Sequence, residues 1–215
     1  MRNETVRSII CAYDDPVVRA YCWVRFGILR QRFLDEIGQY LPEDGPVLDI
    51  GCGFGLFSLY YAATARRRFV RGLDVNPRRI ALARRAAARL GIDNVAYAEG
   101  DARDFKGDTG VAGAYMLDIV HHIPPATVAP MLRQLRRCLA PGGVLLVKDV
   151  DTRPAAKRWF TWVLDKAMAP RNPIHYWSAE RLQATLEASG FRVRRHLMVD
   201  LLPYPHVLYV AEARP

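Results

Sequence analysis

The chain has 215 residues, 51% of them hydrophobic and 25% charged, with a formal net charge of +9. That length suits one domain with a sizeable core, and the balanced composition excludes a disordered, collagen-like or coiled-coil chain. No apolar run reaches the ~18 residues of a membrane-spanning helix and the first residues lack a signal-peptide pattern, so a cytoplasmic protein is expected.

Cys11, Cys22, Cys52 and Cys138 form no Cys-x-x-Cys pair and have no histidines at zinc-finger spacing, so free, mostly buried thiols are expected. Arginine supplies almost all the positive charge, in short runs at 66–68, 84–85, 136–137 and 194–195. A nucleic-acid binder concentrates its charge on one face among aromatics; runs this dispersed are expected on solvated helix faces and strand ends.

Asp15-Pro16 reads as an N-cap followed by proline at the first helical position. Val17, Val18, Tyr21, Cys22, Ile28, Leu29 and Phe33 recur at helical intervals, predicting one or two amphipathic helices that end before Pro42. Residues 46–50 are a short apolar run bounded by glycine, which predicts a buried strand. A second strand is predicted at 69–75, then a helix capped by Asn76-Pro77 and stopped at Gly91. Strands at 95–99 and 112–117, a helix at 127–139, a strand at 143–150 and a helix from Ser178 to Gly190 follow. Strands at 191–199 and 206–211 close the chain. Alternating strands and helices imply a three-layer α/β, Rossmann-like sandwich with a seven-stranded, mainly parallel sheet. The last two strands have no helix between them and should pair antiparallel. Residues 1–40 are expected to form a helical cap and residues 41–215 the main domain, with a helical insertion near 152–177.

The informative segment is residues 47–55, Val-Leu-Asp-Ile-Gly-Cys-Gly-Phe-Gly, with glycines at 51, 53 and 55 between a strand and a helix. Glycine lets the backbone turn sharply and approach a ligand closely. Leu56 stands where the dinucleotide fingerprint has its third glycine. Asp49 precedes the loop, and a carboxylate there repels a pyrophosphate while suiting an ammonium-bearing ligand.

These residues resemble the first motif of the class I S-adenosylmethionine-dependent methyltransferases, and the likeness extends from about residue 41 to the C-terminus. Gly72-Leu-Asp-Val-Asn-Pro77, Glu99-Gly-Asp-Ala102, Leu117-Asp-Ile-Val-His-His-Ile123 and Pro141-Gly-Gly143 match later motifs in order. The resemblance implies S-adenosylmethionine as cofactor and S-adenosylhomocysteine as product. It implies contacts from Asp49, Gly51, Cys52, Gly53 and Gly55 in the first loop. Asp74, with Val75 beside it, would take the ribose hydroxyls, Asp101 the adenine amino group, and the Ala102 amide the ring. Leu117 and Asp118 would sit beside the methionine end, where Asp118 contacts the cofactor or positions a histidine. A carboxylate can accept both ribose hydroxyls, which fits Asp74 physically.

Methyl transfer from a sulfonium is an in-line displacement, so a hydroxyl or activated-carbon acceptor needs a group to take its proton. His121 and His122 are the candidates; as sequence neighbours they should diverge, with at most one facing the pocket. A competing constellation, Asp118, Asp149 and Asp151 at strand ends, resembles the Mg²⁺ site of metal-dependent phenol O-methyltransferases, but Val150 replaces the asparagine usual there, and no metal is expected.

The acceptor pocket is expected from Tyr13, Tyr21, Trp23 and Phe26 in the cap and from Trp159, Phe160, Trp162, His175, Tyr176 and Trp177 in the insertion. Lys148, Arg153, Lys157 and Arg158 could draw an acidic acceptor to its mouth, and Tyr204 or His206 could point into it. The expected activity is methyl transfer to an oxygen or carbon of a small-molecule, aromatic or carrier-linked acceptor. The alternatives are a nucleic-acid methyltransferase, for which the Asp/Asn-Pro-Pro-aromatic motif is missing, and a non-catalytic cofactor-binding subunit.

Overall fold

A computed structural model describes residues 4–105, 109–152, 174–198 and 206–214. In chain order its elements are α1 (Glu4–Ala12), α2 (Pro16–Ile28), α3 (Gln31–Gly38), β1 (Gly45–Ile50), α4 (Leu56–Thr64), β2 (Arg68–Asp74), α5 (Pro77–Leu90), β3 (Val95–Glu99) and β4 (Val111–Leu117). A single 3₁₀ turn (Val120–His122) then leads to α6 (Pro125–Cys138), β5 (Leu139–Val150), α7 (Ala179–Ala188), β6 (Phe191–Leu197) and β7 (His206–Ala213).

Among the described residues the strands form one seven-stranded sheet in the order β3-β2-β1-β4-β5-β7-β6. β1, β2, β3, β4 and β5 pair in parallel, and β7 runs antiparallel to both β5 and β6, so the last two strands pair as expected. The chain order reverses beside β1, so the loops after β1 and β4 open a crevice at the carboxyl ends of these strands.

Alternating side chains feed a core on each face of the sheet. Val47, Val70, Tyr115 and Leu208 pack with α1 to α5; Leu48, Met116, Val147 and Tyr209 pack with α6 and α7. Cys22, Cys52 and Cys138 are buried and Cys11 exposed, and none of the four is in a disulfide. No helix among the described residues is long and apolar enough to cross a membrane.

The N-terminal segment has three helices where one or two were expected. α1 buries one face, with Val6, Ile9 and Ile10, against the core. Asp15 caps α2 by accepting from the amides of Val17 and Val18, and Asn76 does the same for α5. α6 begins at Pro125, two residues before the expected start, and keeps Pro130 inside it. β5 begins at Leu139, yet its pairing with β4 is irregular between Val111 and Gly113, around the Pro141-Gly-Gly143 turn.

The arginine runs are not simply solvated. Arg68 is buried and donates to the carbonyls of Leu41, Pro42 and Tyr61. Arg84 donates to the Tyr97 carbonyl and Arg89 to that of Ala12. Arg78, Arg85 and Arg89 of α5 reach Asp15 and Asp14 in the link between α1 and α2. Arginine suits this work because its planar fork spreads several donors over neighbouring oxygens.

Candidate active site

A cavity of about 520 Å³ lies over the carboxyl ends of β1, β2 and β4. Its floor is the glycine loop, where Gly51, Gly53 and Gly55 have φ of 76°, 56° and 80°. The left-handed region admits glycine without the Cβ penalty other residues meet. Gly51, Cys52 and Gly53 line the cavity, together with Asp49 at the end of β1. Gly55, expected among the ligand contacts, does not. It caps α4, and a Cβ there would sit 2.5 Å from the Tyr97 hydroxyl, so its smallness serves the packing of α4 on β3.

Asp49 is 3% exposed and accepts a hydrogen bond from the Ser58 hydroxyl of α4. Burial pushes its pKa up to about 7, although the Ser58 bond acts in the opposite direction. Asp74 ends β2, with Oδ2 accepting the Gly53 amide at 2.9 Å and Oδ1 the Asn76 amide at 2.9 Å. Each oxygen keeps a lone pair for another donor, and the two amides fix the carboxylate against the glycine loop. Val75 and Ala102 line the same cavity.

Asp101 is at the rim, but Arg103 grips its carboxylate through Nε and Nη2, and its Oδ1 also accepts the Arg103 amide. Arg103 therefore lines the cavity beside the carboxylate expected to read adenine, and nothing in the motif signalled it. The Arg103 bond outweighs burial in holding the Asp101 carboxyl below its ordinary range.

The other wall comes from β4, the turn after it and α2. Leu117, Asp118, Ile119, His121 and His122 line it together with Tyr21 and Arg25. Asp118 has φ of 58°, a left-handed conformation uncommon outside glycine. Its carboxylate meets Arg25 from α2 and, at 2.6 Å, the Nζ of fully buried Lys148. Burial would raise its pKa, but Lys148 and then Arg25 carry it well below the ordinary carboxylate range. Lys148 thus does not stand at the mouth, as its neighbours in sequence suggested; it is a side chain of the central strand β5, pointing into the protein to meet Asp118.

The acid that positions a histidine is Asp149, not Asp118. His121 Nδ1 lies 2.6 Å from Asp149 Oδ1, and the His121 backbone amide donates to Asp149 Oδ2 at 3.1 Å. Both residues are buried. With Asp149 accepting, the ring proton sits on Nδ1 and Nε2 presents the lone pair. The His121 and His122 rings do not diverge: their centroids are 4.1 Å apart and both residues line the cavity, because a 3₁₀ turn rather than a strand carries them. Tyr176 stacks on His121 at 5.9 Å, and the His175 amide donates to the His121 carbonyl.

Of the expected acceptor-site aromatics in the cap, Tyr21 lines the cavity, 5.5 Å from Phe54. Tyr13 and Phe26 are core residues, and Trp23 faces outward at 40% exposure. Trp177 is buried beneath Arg181. His206 is buried on β7 and does not line the cavity. Arg153, Lys157, Arg158, Trp159, Phe160, Trp162 and Tyr204 lie outside the described residues.

The donor set fits S-adenosylmethionine. Asp49 is a buried carboxylate lacking a cationic neighbour of its own among the groups that set its pKa, which complements an ammonium. Asp74 is held rigidly for a diol, and the loop offers close backbone approach without the charge balance a pyrophosphate needs.

Comparison with known proteins agrees. Residues 25–196 match the family model described as "Methyltransferase domain". The chain is 35% identical over 127 residues to a 2-heptyl-1-hydroxyquinolin-4(1H)-one methyltransferase of Mycobacteroides abscessus, covering 54% of this chain and 55% of that protein. It is 29% identical over 149 residues to a fatty-acid O-methyltransferase of Mycolicibacterium smegmatis, covering 68% and 53%. The chain thus spans about half the length of these curated relatives. A SAM-dependent methyltransferase structure from Aquifex aeolicus superposes with a TM-score of 0.68 at 19% identity, over 98% of this chain and 99% of that one, and so shares the fold. The chain therefore belongs to the methyltransferase-domain family, as a class I protein that uses S-adenosylmethionine.

Proposed function

We propose that the chain transfers a methyl group to an oxygen of a small apolar or aromatic acceptor, with the imidazoles at 121 and 122 receiving the acceptor's proton. The cofactor supplies an electrophilic methyl group on a sulfonium. The chain's residues align and shield the partners. Asp74 and Asp49 orient the cofactor, and Tyr21, Phe54 and Phe57 form an apolar wall that limits water at the reacting centre.

The observation that carries this reading is the His121–Asp149 contact on the wall of the cofactor cavity. A neutral imidazole is a good proton acceptor near pH 7, and Asp149 stabilises the imidazolium that results. The relatives named for hydroxyquinolone and fatty-acid methylation support an acceptor oxygen on an apolar molecule.

The test incubates the full chain with methyl-labelled S-adenosylmethionine and, separately, a heptyl-hydroxyquinolone, a long-chain fatty acid and total RNA. Acceptor-dependent S-adenosylhomocysteine release with either small molecule, slowed by His121→Ala or His122→Ala, supports the proposal. Label appearing only in RNA overturns it in favour of nucleic-acid methylation, and cofactor binding without transfer to any acceptor favours a binding subunit.

A further inference from the structure

Asp74 and Asp101 both line the cavity, yet their carboxylates are differently available. Each Asp74 oxygen accepts one backbone amide and keeps acceptor capacity for a ligand. At Asp101 the Arg103 amide donates to Oδ1 at 2.8 Å, Arg103 Nε to both oxygens at 2.9 Å, and Nη2 to Oδ2. These contacts take up the roughly four lone-pair sites of a carboxylate. The Arg103 bond also holds the carboxyl below its ordinary range, so the group is ionised and only accepts. An adenine amino group is a donor, and it needs a position that the guanidinium takes. The two residues sit in one turn, closed by the Asp104 amide donating to the Asp101 carbonyl at 3.1 Å. Arg103 therefore reaches the carboxylate through local geometry alone. The pair stands at the rim, with the Arg103 side chain 46% exposed, so a ligand can break it at modest cost.

We propose that Arg103 sets how strongly the chain reads the base of its cofactor, by competing with the adenine amino group for the Asp101 carboxylate. This rests on the S-adenosylmethionine reading of the cavity and adds to it a specificity residue. Arg103 makes binding weaker, and less dependent on the amino group, than Asp101 alone would make it.

The test is calorimetry on the full chain with S-adenosylhomocysteine and with its analogue lacking the 6-amino group of the base. Wild type, Arg103→Ala, Arg103→Met and the double variant Arg103→Ala with Asp101→Ala are compared, with thermal melts to establish that each is folded. Arg103→Ala should bind S-adenosylhomocysteine about twofold to fivefold more tightly and leave the analogue's affinity unchanged. The preference for the amino-bearing ligand then widens by the same factor, to roughly tenfold. Arg103→Met, which keeps the stem without the guanidinium, should behave alike, and the double variant should lose the widened preference. An equal effect on both ligands, or a preference unchanged in both Arg103 variants, overturns the competition. A widened preference that survives in the double variant overturns Asp101 as the group competed for. Failure of wild type to bind S-adenosylhomocysteine at all instead overturns the reading of the cavity beneath it.

Discussion

Asp149 binds His121 at two points, the ring Nδ1 at 2.6 Å and the backbone amide at 3.1 Å, and so fixes both the turn and the ring it carries. A third bond, from the Val150 amide to Oδ1 at 2.7 Å, fixes the carboxylate itself. Asp149→Asn keeps the shape but places an amide where Nδ1–H needs an acceptor. Turnover should fall by roughly 10²-fold with its pH dependence displaced, while S-adenosylhomocysteine affinity stays within about twofold. Steady-state rates between pH 5.5 and 9, beside calorimetry, check this; an unchanged pH profile would remove the positioning role.

Asp74→Ala removes the expected ribose acceptor and also releases the Gly53 and Asn76 amides it holds. Cofactor affinity should drop by about tenfold or more. Equal dissociation constants for the two proteins would refute the assignment.

Asp49 gives a signed pH effect. Its folded pKa of about 7 lies above the ordinary carboxylate value, because burial disfavours the charged form. The native state therefore binds more protons than the unfolded chain between about pH 4 and 7, and this group's contribution to stability declines across that window as pH rises. Asp49→Asn should raise the melting temperature of the cofactor-free protein at pH 8 and have little effect at pH 4. A cofactor ammonium beside Asp49 should reverse the preference, so binding below pH 7 should release close to one proton. Calorimetry at pH 6 in buffers of different ionisation enthalpy reads that proton, and its persistence in Asp49→Asn would locate it elsewhere.

Two of the three loop glycines separate packing from binding. Gly55→Ala forces a left-handed alanine against the Tyr97 hydroxyl and the Ala83 methyl, and should destabilise the fold by about 1–3 kcal/mol. At Gly53 a Cβ meets nothing within 4 Å, so Gly53→Ala should cost only about 1 kcal/mol for its backbone while weakening cofactor binding by about fivefold or more. Urea denaturation and calorimetry on both variants check the pair; equal binding losses would show that Gly55 also serves the ligand.

Chelation should leave turnover unchanged. Asp118 is taken by Arg25 and Lys148, Asp149 by His121, and Asp151 accepts the Ala179 amide. Loss of activity in EDTA, restored by Mg²⁺, would recast these carboxylates as metal ligands.

Sequence alone determined the parts governed by local chemistry. The strand positions follow from short apolar runs, the helix starts from Asp15, Asn76 and Ser178, and the ligand loop from three glycines whose left-handed backbone no alternative residue adopts cheaply. The antiparallel pairing of the last two strands followed from a link in the sequence too short for a crossover. Asp49 and Asp74, expected beside this loop, both line the cavity at the ends of β1 and β2.

What tertiary structure decided is the assignment of long-range partners. Lys148 and Asp149 are adjacent in sequence, yet the pleat of β5 sends the lysine to Asp118 and the aspartate to His121, opposite sides that charge patterning cannot distinguish. Arg25 is 93 residues from Asp118 and signalled nothing by itself. The arginines of α5 look like an exposed charged face until α1 and α2 are packed beside them. Periodicity reports which face of an element is buried; it does not report which charged tip from another layer arrives there. In this protein Arg25 arrives on Asp118 and Asp149 on His121, and Arg25, Asp118 and His121 line the cavity.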